Sequence, residues 1–123
     1  LRNAGHISAA LRLYHGHGAA CLISVCEPRH PPAKAYQVKQ DGTLTGMYAP
    51  DAPYQRRQDL PRGVQPNGAI YIFSASDFMR HRHIPRERVF PFFMDEADSH
   101  DVDTAKDLAR CEKVLREQPD SET

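Results

Sequence analysis

The sequence predicts an α/β fold for this chain of 123 residues, and three observations support that class. Two apolar runs, residues 19–26 and 68–73, have the length and composition of buried strands. A helical pattern precedes the first run, which gives half of an α/β repeat. From Ala105 onward, apolar residues recur at helical spacing over about 14 residues, and this amphipathic helix has the clearest pattern in the chain.

The first two elements lie in residues 6–26. Residues 6–15 carry apolar side chains near helical spacing, and Gly16 and Gly18 follow as a stop. Residues 19–26 then form an apolar run that ends before Pro28. Such a run is typical of a strand covered on both faces, as in a parallel sheet flanked by helices.

Residues 28–66 differ from the α/β pattern around them because they contain seven prolines. Within them, the apolar stretches 35–38 and 44–47 flank Asp41-Gly42, which predicts a hairpin with a two-residue turn. We interpret the segment as an excursion from the main sheet. An excursion with so few core-forming residues is expected to dock on another surface, often a second subunit.

The remaining elements complete the α/β pattern. After strand 68–73, Ser74 or Ser76 caps a short helix over residues 77–82. Residues 89–94 form a strand that Pro91 confines to an edge. Thr104 and Asp107 approximate a capping box at the start of the last helix. The charged residues 117–123 are predicted to be a frayed tail.

Composition excludes several classes of protein. The 16 Lys and Arg balance the 16 Asp and Glu, which argues against nucleic-acid or membrane-surface binding. No run is long enough for a membrane span. The 3 cysteines lack metal-ligand spacing, so we expect reduced thiols in a cytoplasmic protein, two of them filling the core.

The acidic pair before the last helix is the most informative feature. In an extended segment, Asp101 and Asp103 project from the same face, whereas Val102 turns into the core. Two neighbouring carboxylates repel each other unless a cation lies between them, and Mg²⁺ accepts such a pair while keeping positions for water and phosphate. An acidic helix N-terminus is the alternative explanation.

Two further groups of side chains could bind a ligand. Arg57 lies in a charged loop and Lys34 lies upstream, and together they suit an acidic small molecule. A solvated surface loop is the alternative. Asn67, which opens the strand that carries Tyr71, could donate to and accept from a ligand or simply form a turn. The histidines show no third ligand at metal-binding spacing.

Four blocks in order resemble the C-terminal half of the CMP-sialic acid synthetases, also called acylneuraminate cytidylyltransferases. The blocks are Ser24-Val25-Cys26-Glu27 with a following His-Pro stretch and Lys34; Arg57-Gln58-Asp59-Leu60-Pro61; Pro66-Asn67-Gly68-Ala69-Ile70-Tyr71-Ile72; and Asp101-Val102-Asp103-Thr104 with Asp107-Leu108. The third block is the most specific. The match runs over nearly the whole chain.

The resemblance implies a Rossmann-like nucleotide-diphospho-sugar transferase fold, of which residues 1–123 are the C-terminal part of the domain. It implies that residues 28–66 form a protruding hairpin for homodimerisation and sugar binding. The implied reaction activates an acidic nine-carbon 2-keto sugar with CTP, giving the CMP-sugar and pyrophosphate. Sialic, legionaminic and pseudaminic acids remain open as that sugar.

The resemblance also implies roles for individual residues. Asp101 and Asp103 match the catalytic metal-binding pair, with Mg²⁺ as cofactor. Arg57 and Lys34 match residues that hold the sugar carboxylate in the partner's site, and Asn67 and Tyr71 match the sugar pocket.

The family's nucleotide-binding N-terminal half is absent from this sequence, so we expect the isolated chain to be inactive. The aromatic pair that often contacts the N-acyl group is replaced by His83-Ile84-Pro85, and Gln65 replaces a basic residue. A non-catalytic module that dimerises or completes a partner's site is the alternative function.

Overall fold

The computed structural model describes residues 1–118 and divides the chain into two compact units. One unit comprises Leu1–Cys26 together with the chain from Pro66 onward, and the other comprises Glu27–Gln65. The strands are β1 (Cys21–Cys26), β2 (Tyr36–Val38), β3 (Leu44–Gly46), β4 (Gln65–Phe73) and β5 (Val89–Phe93), and the α-helices are α1 (Ala4–Gly16), α2 (Ala75–His81) and α3 (Ala105–Glu117). The chain is therefore mixed α and β, as predicted.

The sheet of the first unit has the order β4-β1-β5. Strand β1 pairs in parallel with β5, with Cys21 opposite Val89 and Val25 opposite Phe93. Because β1 lies between two strands and most of its side chains are buried, its continuous apolar sequence is explained. The predicted buried strand is confirmed.

Strand β5 lies at one edge of this sheet in the described part of the chain. The N–H of Met94 donates to the carbonyl of Val25 at 2.8 Å. Successive N–H groups of a strand point to opposite sides, so residues 90 and 92 also face β1, whereas Pro91 faces away from it. Pro91 lacks an N–H, and its position on the outer side leaves the ladder with β1 intact.

Helices α2 and α3 start at polar caps that the sequence indicates, although α2 begins at Ala75, two residues before the predicted start. Ser74, rather than Ser76, accepts from the N–H of Asp77 at the start of α2. Thr104 and Asp107 form a reciprocal capping box at the start of α3. Glu117 still belongs to α3, so the predicted tail begins one residue later at the earliest, and residues 119–123 lie outside the described residues.

The core of the first unit lies where α1 covers the sheet. Its buried members are Ala10, Leu22, Ile70, Phe92 and Met94. Cys21 and Cys111 are also buried, and all three cysteines are free thiols. These observations confirm the prediction that two of the cysteines fill the core. No helix among residues 1–118 has both the length and the apolar character needed to cross a membrane.

The unit Glu27–Gln65 contains the antiparallel hairpin of β2 and β3. Its loop has three residues, not two: the N–H of Lys39 donates to the carbonyl of Thr43, and the N–H of Gly42 donates back to the carbonyl of Lys39. Gly42 has a φ of 86°, which is the left-handed conformation that such a bulged loop needs. The prediction of a two-residue turn was therefore wrong.

Short 3-10 turns follow the hairpin at Ala52–Tyr54 and Arg57–Asp59. The chain turns closely after β3, since a Cβ on Gly46 would lie 1.9 Å from the carbonyl oxygen of Ala49. Only glycine fits at position 46 without moving backbone. Tight turns of this kind leave little space for a core, and Ala33 and Ala52 are the buried apolar side chains described in this unit.

Candidate functional site

An open cleft of about 420 Å³ lies within the first unit, beside the start of β4. It brings together two of the predicted site residues, Asn67 and Asp101. The segment before α3 forms one wall through Asp98, Ser99, His100, Asp101 and Val102, and the remaining wall is formed by Leu1, Arg2, Asn67, Gly68 and Ala69. This cleft is the candidate site.

Asn67 lies half-buried at the wall of the cleft, where its side chain connects separate elements. Its Nδ2 donates to Ser99 Oγ at 3.0 Å and to Met94 Sδ at 3.4 Å. Its Oδ1 accepts from the hydroxyl of Ser24 at 2.6 Å. Asn67 therefore joins the ends of β1 and β4 to the segment that follows β5.

The acidic pair lies on the exposed segment that leads into α3. Asp101 lines the cleft, whereas Asp103 is not among its lining residues. Val102 is 49% exposed, so the expectation that it turns into the core was wrong. That expectation assumed a regular strand, but this segment belongs to no sheet, and the alternation of a strand does not apply to it.

The capping box of α3 adjoins the acidic pair. The carboxylate of Asp107 accepts from the hydroxyl and the N–H of Thr104 and from the N–H of Asp103. These hydrogen bonds, led by that of the Thr104 hydroxyl, hold the pKa of Asp107 below its ordinary value. The carboxylate of Asp107 is therefore occupied by hydrogen bonds at the start of α3, whereas the neighbouring Asp101 and Asp103 are exposed.

The donor set suits a hard cation that keeps part of its own hydration. Among residues 1–118, no group of three or more His, Cys, Asp or Glu side chains is placed to hold a metal ion. Two carboxylates are nevertheless compatible with Mg²⁺, which is commonly bound through one or two carboxylates plus water and phosphate oxygens. The described residues form no closed protein cage, so a metal ion held by these two carboxylates would keep water or phosphate oxygens among its ligands.

One charged group at the other wall of the cleft, Arg2, was not identified as a site residue from the sequence. A guanidinium nitrogen of Arg2 donates to the carbonyl of Ala69 at 2.6 Å. His6 is not among the lining residues. Its Nε2 lies 3.6 Å from the carboxylate of Asp98, and its Nδ1 accepts from the N–H of Asn3. Because Nδ1 is an acceptor, the ring proton lies on Nε2 and faces Asp98.

Tyr71 lies on β4 but does not line the cleft. Its side chain is 47% exposed, and it is four residues beyond Asn67 along the strand. The structure therefore does not bring Tyr71 to the cleft that Asn67 and Asp101 line.

Arg57 lines a second cavity, of about 260 Å³, which lies within the unit Glu27–Gln65. In the part of the chain that the structure describes, Arg57 has no carboxylate partner. Its neighbour Arg56 instead pairs with Asp59 at 3.0 Å, and Arg62 pairs with Glu27. The Arg57 guanidinium is therefore available for a carboxylate that is not part of this unit.

Lys34 ends the 3-10 turn Pro32–Lys34 and is half-buried. The cavity that Arg57 lines includes Pro31 and Pro32 but not Lys34. The structure thus places Arg57 and Lys34 in the same unit without joining them at one cavity.

Ser24 and Ser99 were not singled out as site residues by sequence reasoning, although both hydrogen-bond Asn67. Ser24 could have been found, because it is a lone hydroxyl within the apolar run of β1, and a buried hydroxyl needs a partner. Ser99 lies among polar residues and gives no comparable signal.

Curated proteins that resemble this chain include three that are named N-acylneuraminate cytidylyltransferase. They come from Streptococcus agalactiae serotypes V, III and Ia, and each is 32% identical over 108 residues. The aligned region is 88% of this chain and 26% of each relative, so the chain spans about a quarter of their length. No family model matches the chain.

Proposed function

Because the chain belongs to the N-acylneuraminate cytidylyltransferase family, we propose that it supplies the metal- and sugar-binding part of an enzyme that makes CMP-sugars. The observation that carries this proposal is the 32% identity over 108 residues to three such enzymes. The cleft lined by Asn67 and Asp101 supports this proposal. One wall bears the carboxylate of Asp101, and the other wall bears the polar side chains of Arg2 and Asn67.

The proposed reaction joins CMP to a sialic-acid-like 2-keto acid. The anomeric hydroxyl of the sugar attacks the α-phosphorus of CTP, a C–O–P linkage forms, the bond to pyrophosphate breaks, and the hydroxyl proton leaves to solvent. Asp101 and Asp103 are proposed to hold Mg²⁺, which when bound offsets the negative charge that develops on the phosphate oxygens. Their exposure leaves room for the triphosphate beside them.

Recognition of the sugar carboxylate is assigned to Arg57 and Lys34. A planar guanidinium binds a carboxylate through two parallel hydrogen bonds, and an ammonium adds a point charge. The availability of Arg57, whose neighbours Arg56 and Arg62 are already paired with carboxylates, supports this assignment. Tyr71 and Asn67 are assigned to the sugar pocket along β4.

The metal assignment is tested by titrating the 123-residue chain with Mn²⁺, a paramagnetic substitute for Mg²⁺, and recording ¹H–¹⁵N spectra. We expect the amide signals of Asp101 and Asp103 to broaden first. The variants Asp101→Asn and Asp103→Asn should each weaken the effect about tenfold, since each removes a charged ligand. Glu112→Gln, an exposed carboxylate on α3, is the matched control. Equal broadening in all variants would contradict the assignment.

The carboxylate assignment is tested by binding N-acetylneuraminate to Arg57→Ala, with Arg56→Ala as the matched control. Losing hydrogen bonds between charged groups should weaken binding of the sugar by about tenfold or more in Arg57→Ala. Arg56→Ala should bind as the unchanged chain does, because Arg56 is paired with Asp59. If both variants lose affinity equally, Arg57 has no specific role.

A non-catalytic module that dimerises or completes a partner's site is the second candidate, and the exposed apolar side chains of the β2–β3 hairpin, such as Val38 and Leu44, favour considering it. A module would dimerise without binding either Mn²⁺ or the sugar. In both cases, we expect the isolated chain to release no pyrophosphate from CTP. Release of pyrophosphate would show that the nucleotide-binding half of the family is not needed.

A further inference from the structure

Ser24 is a buried hydroxyl whose hydrogen-bond direction can be assigned. It is 0% exposed, on the central strand β1. Its Oγ accepts from the N–H of Ile70 at 2.7 Å. Its only proton is therefore given to Asn67 Oδ1, at 2.6 Å. Ser24 thus orients the oxygen of the Asn67 amide toward β1.

Both donors and both acceptor sites of the Asn67 side-chain amide are hydrogen-bonded within the protein. Its Oδ1 accepts both the Ser24 proton and the N–H of Ala69 at 3.2 Å. Its Nδ2 donates to Ser99 Oγ and Met94 Sδ. Since a side-chain amide offers two donors and two acceptor sites, a ligand could bind this amide only after one of these bonds broke.

Ser99 links Asn67 by hydrogen bonds to the segment of residues 95–101. Its hydroxyl accepts from Asn67 and donates to the carbonyl of Asp95 at 2.7 Å. Its N–H also donates to the carbonyl of Glu96 at 3.1 Å. Ser99 therefore closes the turn that directly precedes His100 and Asp101.

We infer that Ser24, Asn67 and Ser99 form a positioning relay that holds the segment of residues 95–101 on the ends of β1 and β4, and so fixes Asp101 at the cleft. The inference rests on the proposed function for the role of Asp101. It also refines the role of Asn67. Asn67 acts on the site through Ser99, as part of its wall, and does not donate to the sugar.

The relay is tested by comparing ¹H–¹⁵N spectra and amide hydrogen exchange of the chain with those of Ser24→Ala. Loss of the Ser24 proton should shift the Asn67 side-chain NH₂ signals and the amide signals of Ser99 and Asp101. It should also speed exchange of the Ser99 amide by about tenfold, because one buried hydrogen bond is lost. Signals that stay unchanged beyond Ile70 would overturn the relay.

Ser99→Ala provides a second test in case Ser24→Ala does not fold. It should release the Asn67 NH₂ group and weaken Mn²⁺ binding at Asp101 about fivefold, whereas Ser99→Thr, which keeps the hydroxyl, should restore both. Ser8→Ala, at an exposed serine of α1, is the matched control. A Ser99→Ala variant that binds Mn²⁺ like the unchanged chain and keeps the Asn67 signals in place would contradict the relay.

The two proposals can fail separately. If the unchanged chain binds no Mn²⁺, the metal assignment fails, and the signals of Ser99 and Asp101 in Ser24→Ala still decide whether the relay exists. If Mn²⁺ binds but the signals of Ser99 and Asp101 do not respond to Ser24→Ala, the relay fails and the metal assignment stands.

Discussion

The three thiols of the chain differ in burial, and this difference sets their reactivity. Cys21 is completely buried and Cys111 nearly so, whereas Cys26, at the end of β1, is only partly covered. Burial raises the pKa of the Cys21 thiol, because a thiolate is poorly solvated inside the core. Since the thiolate is the reactive form, Cys21 is protected both by lack of access and by protonation.

A disulfide reagent added to the native chain should therefore modify one thiol quickly and two slowly. We expect Cys26 to react first and Cys21 about a hundredfold more slowly, since the reagent reaches Cys21 only when the sheet opens. Cys26→Ser should abolish the fast phase, and Cys111→Ser should leave it intact. A Cys21 that reacts as fast as Cys26 would show that β1 is not the protected centre of the sheet.

At the residue scale, sequence reasoning identified the polar groups but not their connections. Asn67 could be selected as a polar residue that opens a strand and Asp101 as part of an acidic pair before a helix, and the structure places them at one cleft. The bond from Ser24 to Asn67 joins residues 43 positions apart, and no local pattern carries that information. Val102 was placed in the core because an extended segment outside a sheet was treated as a regular strand.

The N-terminus of α3 is the element whose stability depends most clearly on a local interaction. Thr104 and Asp107 each accept from the other's backbone N–H, which satisfies donors that the first helical turn leaves open. The hydrogen bonds from Thr104 and Asp103 lower the pKa of Asp107 in the folded chain. Its carboxylate therefore stabilises the helix above the ordinary pKa range of aspartate, and this contribution is lost as the pH falls through the lowered pKa.

Removing this cap should change both the stability and its pH dependence. Thr104→Ala should destabilise the chain by about 1 kcal/mol at neutral pH, as measured by thermal unfolding followed by circular dichroism. The difference from the unchanged chain should shrink between about pH 5 and pH 2. Glu112→Gln, which removes a carboxylate from the same helix, should not reproduce this pattern. A difference that stays constant with pH would contradict the role of Asp107.

At the element scale, predictions succeeded where the signal is local. The cap at Thr104, the end of α1 at Gly16, and the edge position of Pro91 all depend on side chains next to them in sequence, and all are confirmed. The hairpin loop was predicted one residue too short, because Asp-Gly suits two different loops. Only the pairing of Lys39 with Thr43 distinguishes them.

At the scale of the whole molecule, the unit Glu27–Gln65 exposes many large apolar side chains. They are Tyr36, Val38, Leu44, Met47, Tyr48 and Tyr54. Ala33 and Ala52 are the buried apolar side chains described in this unit, so its large apolar side chains stay uncovered unless another surface packs on them. This observation supports the proposal that the chain forms a homodimer through its hairpin.

The dimer is tested by measuring sedimentation of Leu44→Lys, with Leu115→Lys as the matched control. Leu44 and Leu115 have similar exposure, 59% and 55%, but Leu115 lies on α3. Burying a charge in place of a leucine should weaken dimerisation about tenfold or more in Leu44→Lys only. A monomeric unchanged chain, or equal effects of both substitutions, would exclude the hairpin as the dimer surface.

Pro91 also affects how readily strand β5 can pair with a strand of another molecule at high protein concentration. A strand arriving from a neighbouring molecule would meet the outer side of β5, where the proline ring supplies a bulky methylene group in place of a donor. Such a strand cannot form a continuous ladder of hydrogen bonds with β5, so edge-to-edge association of two sheets is disfavoured. Among the described residues, Pro91 removes a backbone donor from the outer side of β5 and so disfavours pairing of this strand with another molecule.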